Sequence, residues 1–293
     1  MKPILCIGSV LWDIIGKHPE SQAIGFDKGG NITMLPGGVA MNIAMALRKL
    51  DMPIALLTYL GKDPSGDALI SDAQSRGMEI NHIYRGDLPT DRYMAIEAGG
   101  DLFAAIADAH SLEKSETDVI APLIDGRLGG ADQPWTGQII VDGNLTEHTL
   151  QFIAENPAFA QADIRVAPAS PGKALRLRPF LESANASLYV NLIEANSLLE
   201  TSHKDAQAAA TALQKRGLKR AIVTDGGNPC AVAEDFAIHI ATPPSVMVKR
   251  VTGAGDSFMA AHIAAANKGA SPKEALEAAC AHAAKYISSD GDE

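Results

Sequence analysis

The chain has 293 residues, 46% of them hydrophobic, enough apolar side chain to bury a large α/β core. Its formal net charge is −10 and its pI about 5.3, so it lacks the basic surface that a DNA or RNA backbone demands, whereas a small phosphate ligand needs only a few local amides. Three dispersed cysteines, Cys6, Cys230 and Cys280, show neither CxxC nor Cys/His spacing and predict free buried thiols, with no disulfide framework and no zinc site.

In chain order, residues 1–16 are apolar but carry Asp13 and no basic leader, which predicts a first buried strand (Pro3–Gly8, PILCIG) and not a signal peptide. No apolar run reaches the ~20 residues of a membrane span, so the expectation is a cytoplasmic protein with no membrane partner. Residues 13–35 mix glycine, polar residues and short apolar pairs. Gly38–Leu50 has helical periodicity and stops at Asp51-Met52-Pro53. Pro53–Gly61 (PIALLTYLG) reads as a strand, with a helix from about Gly66 to Arg76. Residues 88–108 read as a hairpin: Arg92–Ala98, a Gly99-Gly100-Asp101 turn, then Leu102–Ala107. Further strands fall at Gln138–Val141, Asp163–Ala167, Ser187–Val190 and Arg220–Thr224, with helical stretches between them, notably Lys204–Arg216.

Near-continuous apolar strands alternating with helices predict a mostly parallel sheet covered on both faces. No repeat, low-complexity tract or polar linker divides the chain, so one domain is expected over residues 1–293. The inserts at about 13–35 and 88–108 are expected either to join as a small β lid that excludes water from a reaction, or to be an ordinary edge hairpin.

The chemistry concentrates in Val251–Ala260, VTGAGDSFMA. Gly253-Ala254-Gly255 stands just before an alanine-rich helix running to about Asn267. Small residues let the backbone turn its N–H groups toward one point, and the helix N-terminus adds about half a positive charge there. The pattern predicts an anion hole fit for a transferring phosphoryl group. Asp256 at its mouth is either a helix cap or a general base that takes a proton from an attacking hydroxyl. No GxxxxGK[ST] loop is present, and Phe258 fills the third glycine position of a would-be GxGxxG, so neither a P-loop nor a dinucleotide site is expected.

Two stretches, TGAGDSF at Thr252–Phe258 and PGGVAMNIAMALRKL at Pro36–Leu50, resemble the ribokinase-like (PfkB-type) family of sugar and nucleoside kinases. The resemblance covers nearly the whole chain and implies a three-layer α/β/α sandwich with a mostly parallel sheet and a small β lid, using ATP and Mg2+. It implies Asp256 as catalytic base, with Gly253, Ala254 and Gly255 as the anion hole. Asp13, Gly37, Gly38 and Asn42 match the groups that hold the sugar. Thr224 and Gly226 match the start of the nucleotide-binding turn, and Asn191 and Glu194 match an NxxE motif associated with magnesium and phosphate. Within the family the chain is similar to pseudouridine kinases through GGVAMNIAMAL, GDLFAAIAD, VDGNL and APASPGKAL, which implies that Asn144 approaches the substrate and that Lys173 approaches the substrate or the ATP phosphates. The implied product is then pseudouridine 5′-phosphate. Ribokinase, fructokinase or 2-keto-3-deoxygluconate kinase activity stays open, as does a non-catalytic sugar- or nucleoside-binding protein. A homodimer through the lid is expected. The sequence departs from the family at three places: Arg250 stands where an acid or amide is usual in a loop linked to monovalent cations, so no potassium dependence is expected. Pro229 replaces a usual glycine near the nucleotide turn, and Met41 stands where the pseudouridine subgroup often has arginine.

Overall fold

Ile4–Ile7, the first strand (β1), is buried along its whole length, as a strand must be when its sheet is covered on both faces. The computed structural model describes residues 2–21, 23, 25–99 and 101–289. After β1 come β2 (Leu11–His18), β3 (Asn31–Gly37), α1 (Val39–Lys49), β4 (Ile54–Leu57), β5 (Tyr59–Gly61), α2 (Pro64–Ser75), β6 (Tyr84–Gly86), β7 (Arg92–Ala98), β8 (Asp101–Asp108) and α3 (Ser111–Ser115). The second half comprises β9 (Gln138–Asp142), α4 (Glu147–Glu155), β10 (Asp163–Ala167), β11 (Ala186–Asn191), α5 (Leu192–Leu199), α6 (Ala206–Gln214), β12 (Arg220–Asp225), β13 (Asn228–Glu234), β14 (Ala237–Ala241), α7 (Ala254–Asn267) and α8 (Pro272–Ser288).

Among the described residues the main sheet has eight strands in the order β14-β13-β12-β11-β10-β9-β1-β4. From β12 to β4 all pairings are parallel, and β13 and β14 close one edge antiparallel. Alternate residues of each strand feed two cores. Leu5, Ile7, Ile139, Val141, Val166 and Leu188 pack with α4, α5 and α6. Ile4, Cys6, Ile140, Tyr189 and Ile222 pack with α1, α7 and α8. The result is helices on both faces of a mostly parallel sheet, three layers in all. Each large aliphatic side chain taken wholly out of water here contributes about 1.5–3 kcal/mol. Polar links also seat α7 on the sheet: Tyr189 Oη and His262 Nδ1 are 2.9 Å apart, and Arg165 Nη1 donates to Tyr189 Oη at 3.1 Å.

The two β-rich inserts meet in a second sheet, ordered β3-β2-β7-β8. The β2–β3 and β7–β8 pairs are antiparallel, and β2 and β7 run parallel across the join. Gly100, expected in the β7–β8 turn, lies outside the described residues.

Several boundaries depart from the sequence reading. The run Pro53–Gly61 is two strands in two sheets, because the Thr58 hydroxyl turns to donate to Gly8 O at 2.6 Å and ends the main-sheet pairing. The helix expected from Gly66 starts at Pro64, with Asp63 capping it by accepting from Gly66 N at 2.7 Å. The helix expected over Lys204–Arg216 is shorter, Ala206–Gln214, and is capped by Asp205. The β13–β14 hairpin was not anticipated: its exposed edge dilutes the apolar signal of a buried strand.

Candidate active site

The functional candidates gather beyond the carboxyl ends of the parallel strands. The chain order places a switch point between β1 and β9, since β1 leads outward to β4 and the chain then returns to the other side of β1. Crevices at such points are where open α/β sheets bind ligands.

Asp142, the last residue of β9, is fully buried at this switch point. It accepts from Ser9 N (2.8 Å), Ser9 Oγ (2.9 Å), Ala40 N (3.0 Å) and Asn144 N (2.8 Å). Ser9 Oγ in turn receives Val39 N–H at 2.9 Å and Asn144 Nδ2 at 2.9 Å. Burial pushes the Asp142 carboxyl above its ordinary range, and these donors pull it back. The carboxylate thus ties together the end of β1, the end of β9 and the N-terminus of α1, where the helix dipole favours a negative charge. Neither Asp142 nor Ser9 was singled out from sequence, although an acid followed by glycine at a strand end was the available signal.

Gly38 is the N-cap of α1 with φ 93°, and a Cβ there would collide with Ser9 O, so both conformation and space require glycine. One turn on, Asn42 Nδ2 donates to Asp256 Oδ2 at 3.0 Å across 214 positions of sequence. Asp13 stands on β2 and packs on Gly37, where a Cβ would strike its carboxylate. Burial raises Asp13 to about 6.

Asp256 lies in the first turn of α7, behind Gly253 at φ 81°. By accessible surface it is only half-buried, at the mouth of the crevice. Its carboxyl rises to about 7, mainly through loss of solvation; the Asn42 hydrogen bond lowers it, and the charges of Asp142 and Asp13 raise it further. Three carboxyls that share a crevice repel one another in this way. First-turn amides have no intrahelical acceptor, yet Ala254 N–H donates to Val251 O at 3.1 Å. One of the amides expected in the anion hole is therefore engaged in the turn, while a Cβ at Gly255 would meet nothing within 4 Å.

On the far side of the crevice, Asn191 ends β11 in register with Thr224 of β12. Asn191 and Glu194 form a reciprocal capping box, with Glu194 N donating to Asn191 Oδ1 and Asn191 N to Glu194 Oε2, both at 2.9 Å. Glu194 is buried and its carboxyl is raised by desolvation. Gly226 lies in the tight turn joining β12 to β13. Lys173 Nζ donates to Asn144 Oδ1 at 2.9 Å and lies 3.5 Å from Glu113, which places it with Asn144 and Ser9 on the β9 side of the crevice. Among the described residues no group of three or more His, Cys, Asp or Glu side chains stands ready to hold a metal. One buried carboxylate and one amide beside Thr224 fit a magnesium ion that keeps most of its waters, which is how this ion is usually held.

Comparison with known proteins bears on the family and the fold. A family model described as pfkB family carbohydrate kinase matches residues 1–293. The pseudouridine kinase of Escherichia coli (strain K12) is 26% identical over 263 residues, covering 88% of this chain and 81% of that protein. Among solved structures, a carbohydrate kinase from Agrobacterium tumefaciens superposes with a TM-score of 0.83 at 27% identity, covering 99% of this chain and 92% of the other. Arabidopsis thaliana ribokinase, solved with ribose and ATP, superposes with a TM-score of 0.74 at 19% identity, covering 99% and 93%.

Proposed function

The chain belongs to the pfkB family of carbohydrate kinases and is an ATP-dependent sugar or nucleoside kinase, and from that premise we propose that it phosphorylates the 5′-hydroxyl of pseudouridine. The observation that carries the mechanism is Asp256: it stands in the first turn of α7, bonded to Asn42 of α1, with its carboxyl held near 7. A base poised near neutrality both exists as carboxylate and accepts a proton readily.

In the proposed reaction Asp13, Gly37, Gly38, Asn42 and Asn144 orient the sugar and base. The substrate hydroxyl attacks the γ-phosphorus of ATP in line, its proton passes to Asp256, the new P–O bond forms, and ADP leaves with the electrons of the broken bond. The α7 amides at 253–255, once the Ala254 N–H leaves Val251 O, receive the charge on the phosphoryl oxygens. Thr224 and Gly226 border the nucleotide. Asn191 and Glu194 would be the groups that hold a hydrated magnesium ion carried by ATP, and that ion would supply neutralisation of phosphate charge. Lys173, against Asn144, is assigned to the substrate or the transferring phosphate. The sheet β3-β2-β7-β8 is the lid.

Pseudouridine is favoured by the E. coli relative and by the VDGNL and APASPGKAL segments, which supply Asn144 and Lys173 to one wall. The same reading includes a cytoplasmic homodimer through the lid. Ile32, Met34, Met94, Ile96 and Ile106 are exposed on it, and Met34, Ile14, Met94 and Ile106 form one cross-strand row. A second copy is the partner that would cover such a row symmetrically.

The test is ADP release with Mg-ATP against pseudouridine, uridine, adenosine, ribose, fructose and 2-keto-3-deoxygluconate. Turnover on pseudouridine alone supports the assignment. Turnover on a free sugar keeps the mechanism and overturns the substrate. Silence across the panel with intact ATP binding overturns the pseudouridine assignment and leaves an acceptor outside the panel or a non-catalytic binding protein.

A further inference from the structure

The segment between β14 and α7 has no regular structure, and Met247, Val248 and Val251 within it are exposed. Core packing therefore does little to fix the turn from which Gly253 and the first-turn amides project. What holds the turn is the carboxyl end of α8. Lys249 N and Arg250 N both donate to Ile287 O, at 2.8 and 3.2 Å. The Arg250 guanidinium lies 3.7 Å over the centre of the Tyr286 ring. Its Nε donates to Tyr286 O at 3.0 Å and its Nη2 to Ser289 Oγ at 3.0 Å. A cation at a helix carboxyl end is favoured by the dipole, and one over an aromatic face by the ring quadrupole. Tyr286 then reaches the turn itself: its hydroxyl donates to Thr252 O at 3.2 Å, and a Cβ at Gly253 would sit 2.5 Å from that hydroxyl oxygen. Burial pushes the Tyr286 hydroxyl up, the Arg250 charge opposes this, and the Asp256 and Asp13 charges add to the rise.

We propose that Arg250 and Tyr286 are positioning residues for phosphoryl transfer, a clamp that sets the 250–253 turn and through it the α7 amides and Asp256. Neither residue touches the reacting atoms. Arg250 fixes the ring, and the ring fixes Thr252 and Gly253. This use of the guanidinium needs its planar stack and its two directed donors, which a lysine lacks.

The proposal rests on the kinase reading above, and its test separates the two. Wild type, Arg250→Ala, Arg250→Lys and Tyr286→Phe are compared on whichever panel acceptor turns over. Misplacing a reacting group by about 1 Å costs on the order of 10²-fold, so Arg250→Ala should lose about that much kcat while the acceptor KM changes little. Arg250→Lys should stay close to Arg250→Ala, and Tyr286→Phe, which keeps the stack and loses one hydrogen bond, should fall in between. Millimolar guanidinium ion should restore part of the activity of Arg250→Ala and none to Arg250→Lys. Hydrogen exchange over residues 249–256, which needs no turnover, should be faster in Arg250→Ala. Exchange at the wild-type rate, or wild-type kcat in Arg250→Ala, overturns the clamp while leaving the kinase intact. A wild type silent on every panel acceptor overturns the pseudouridine assignment, and the exchange rates alone then decide the clamp.

Discussion

Replacing Asp256 by asparagine should make the protein more stable while abolishing its chemistry. The carboxyl is lifted from 3.8 to about 7, about three units, and each unit corresponds to 1.36 kcal/mol between the two protonation states. Above pH 7 the folded state thus carries an ionised group that costs up to about 4 kcal/mol. Because Asp256 keeps part of its surface in water, solvent screening reduces this, to about 2 kcal/mol. Asparagine removes the charge and keeps an oxygen for the Asn42 amide. At about 2.1 cal/mol/K per residue the unfolding entropy of a chain this long is about 0.6 kcal/mol/K, so Tm should rise by about 3 °C at pH 8. The sign follows from linkage: a carboxyl raised on folding binds more protons in the native state between pH 3.8 and about 7, so its cost is absent below the unfolded pKa and grows as pH rises. At pH 5 the gain should shrink to about a third. Ligand-free thermal melts of both proteins at the two pH values test this. A variant that melts at or below wild type at pH 8, or a gap that is the same at pH 5, would refute the reasoning.

The remaining predictions concern the same crevice. For the wild-type enzyme kcat/KM should rise with pH and level off above about 7, falling about tenfold per unit on the acid side, because the base must be ionised in the free enzyme; a flat profile from pH 5.5 to 8 would rule out Asp256 as that base. Asp142→Ala strands four donors on three separate elements, and denaturant unfolding should show a loss of about 3–5 kcal/mol. A loss below about 1 kcal/mol would mean that the carboxylate does not hold the switch point together.

The parts legible in the sequence were those where local pattern and chemistry coincide. Apolar runs such as PILCIG and DIRVA marked buried parallel strands, and GAGD before an alanine-rich stretch marked the turn and the acid that open α7. The mostly parallel sheet covered on both faces followed from the alternation, and the family resemblance implied the three-layer sandwich. The contacts that make a site of these pieces were not legible, because they join distant positions: Asn42 meets Asp256 across 214 residues, and Ser9 meets Asp142 across 133. Nothing local to Tyr286 announces that its hydroxyl backs Gly253. Arg250 was visible only as a departure, and its partners lie 36 and 39 positions on. The Pro53–Gly61 run misled because a continuous apolar strand can change sheets at one hydroxyl, Thr58, without changing its hydrophobicity.

The central claim is that Asp256 takes the proton from the attacking hydroxyl, and single-turnover phosphoryl transfer by Asp256→Asn, with Mg-ATP affinity measured alongside, tests it most directly. The account predicts a drop of about 10²–10⁴-fold in the transfer rate with ATP affinity and fold preserved. Retention of more than about a tenth of the wild-type rate would contradict it.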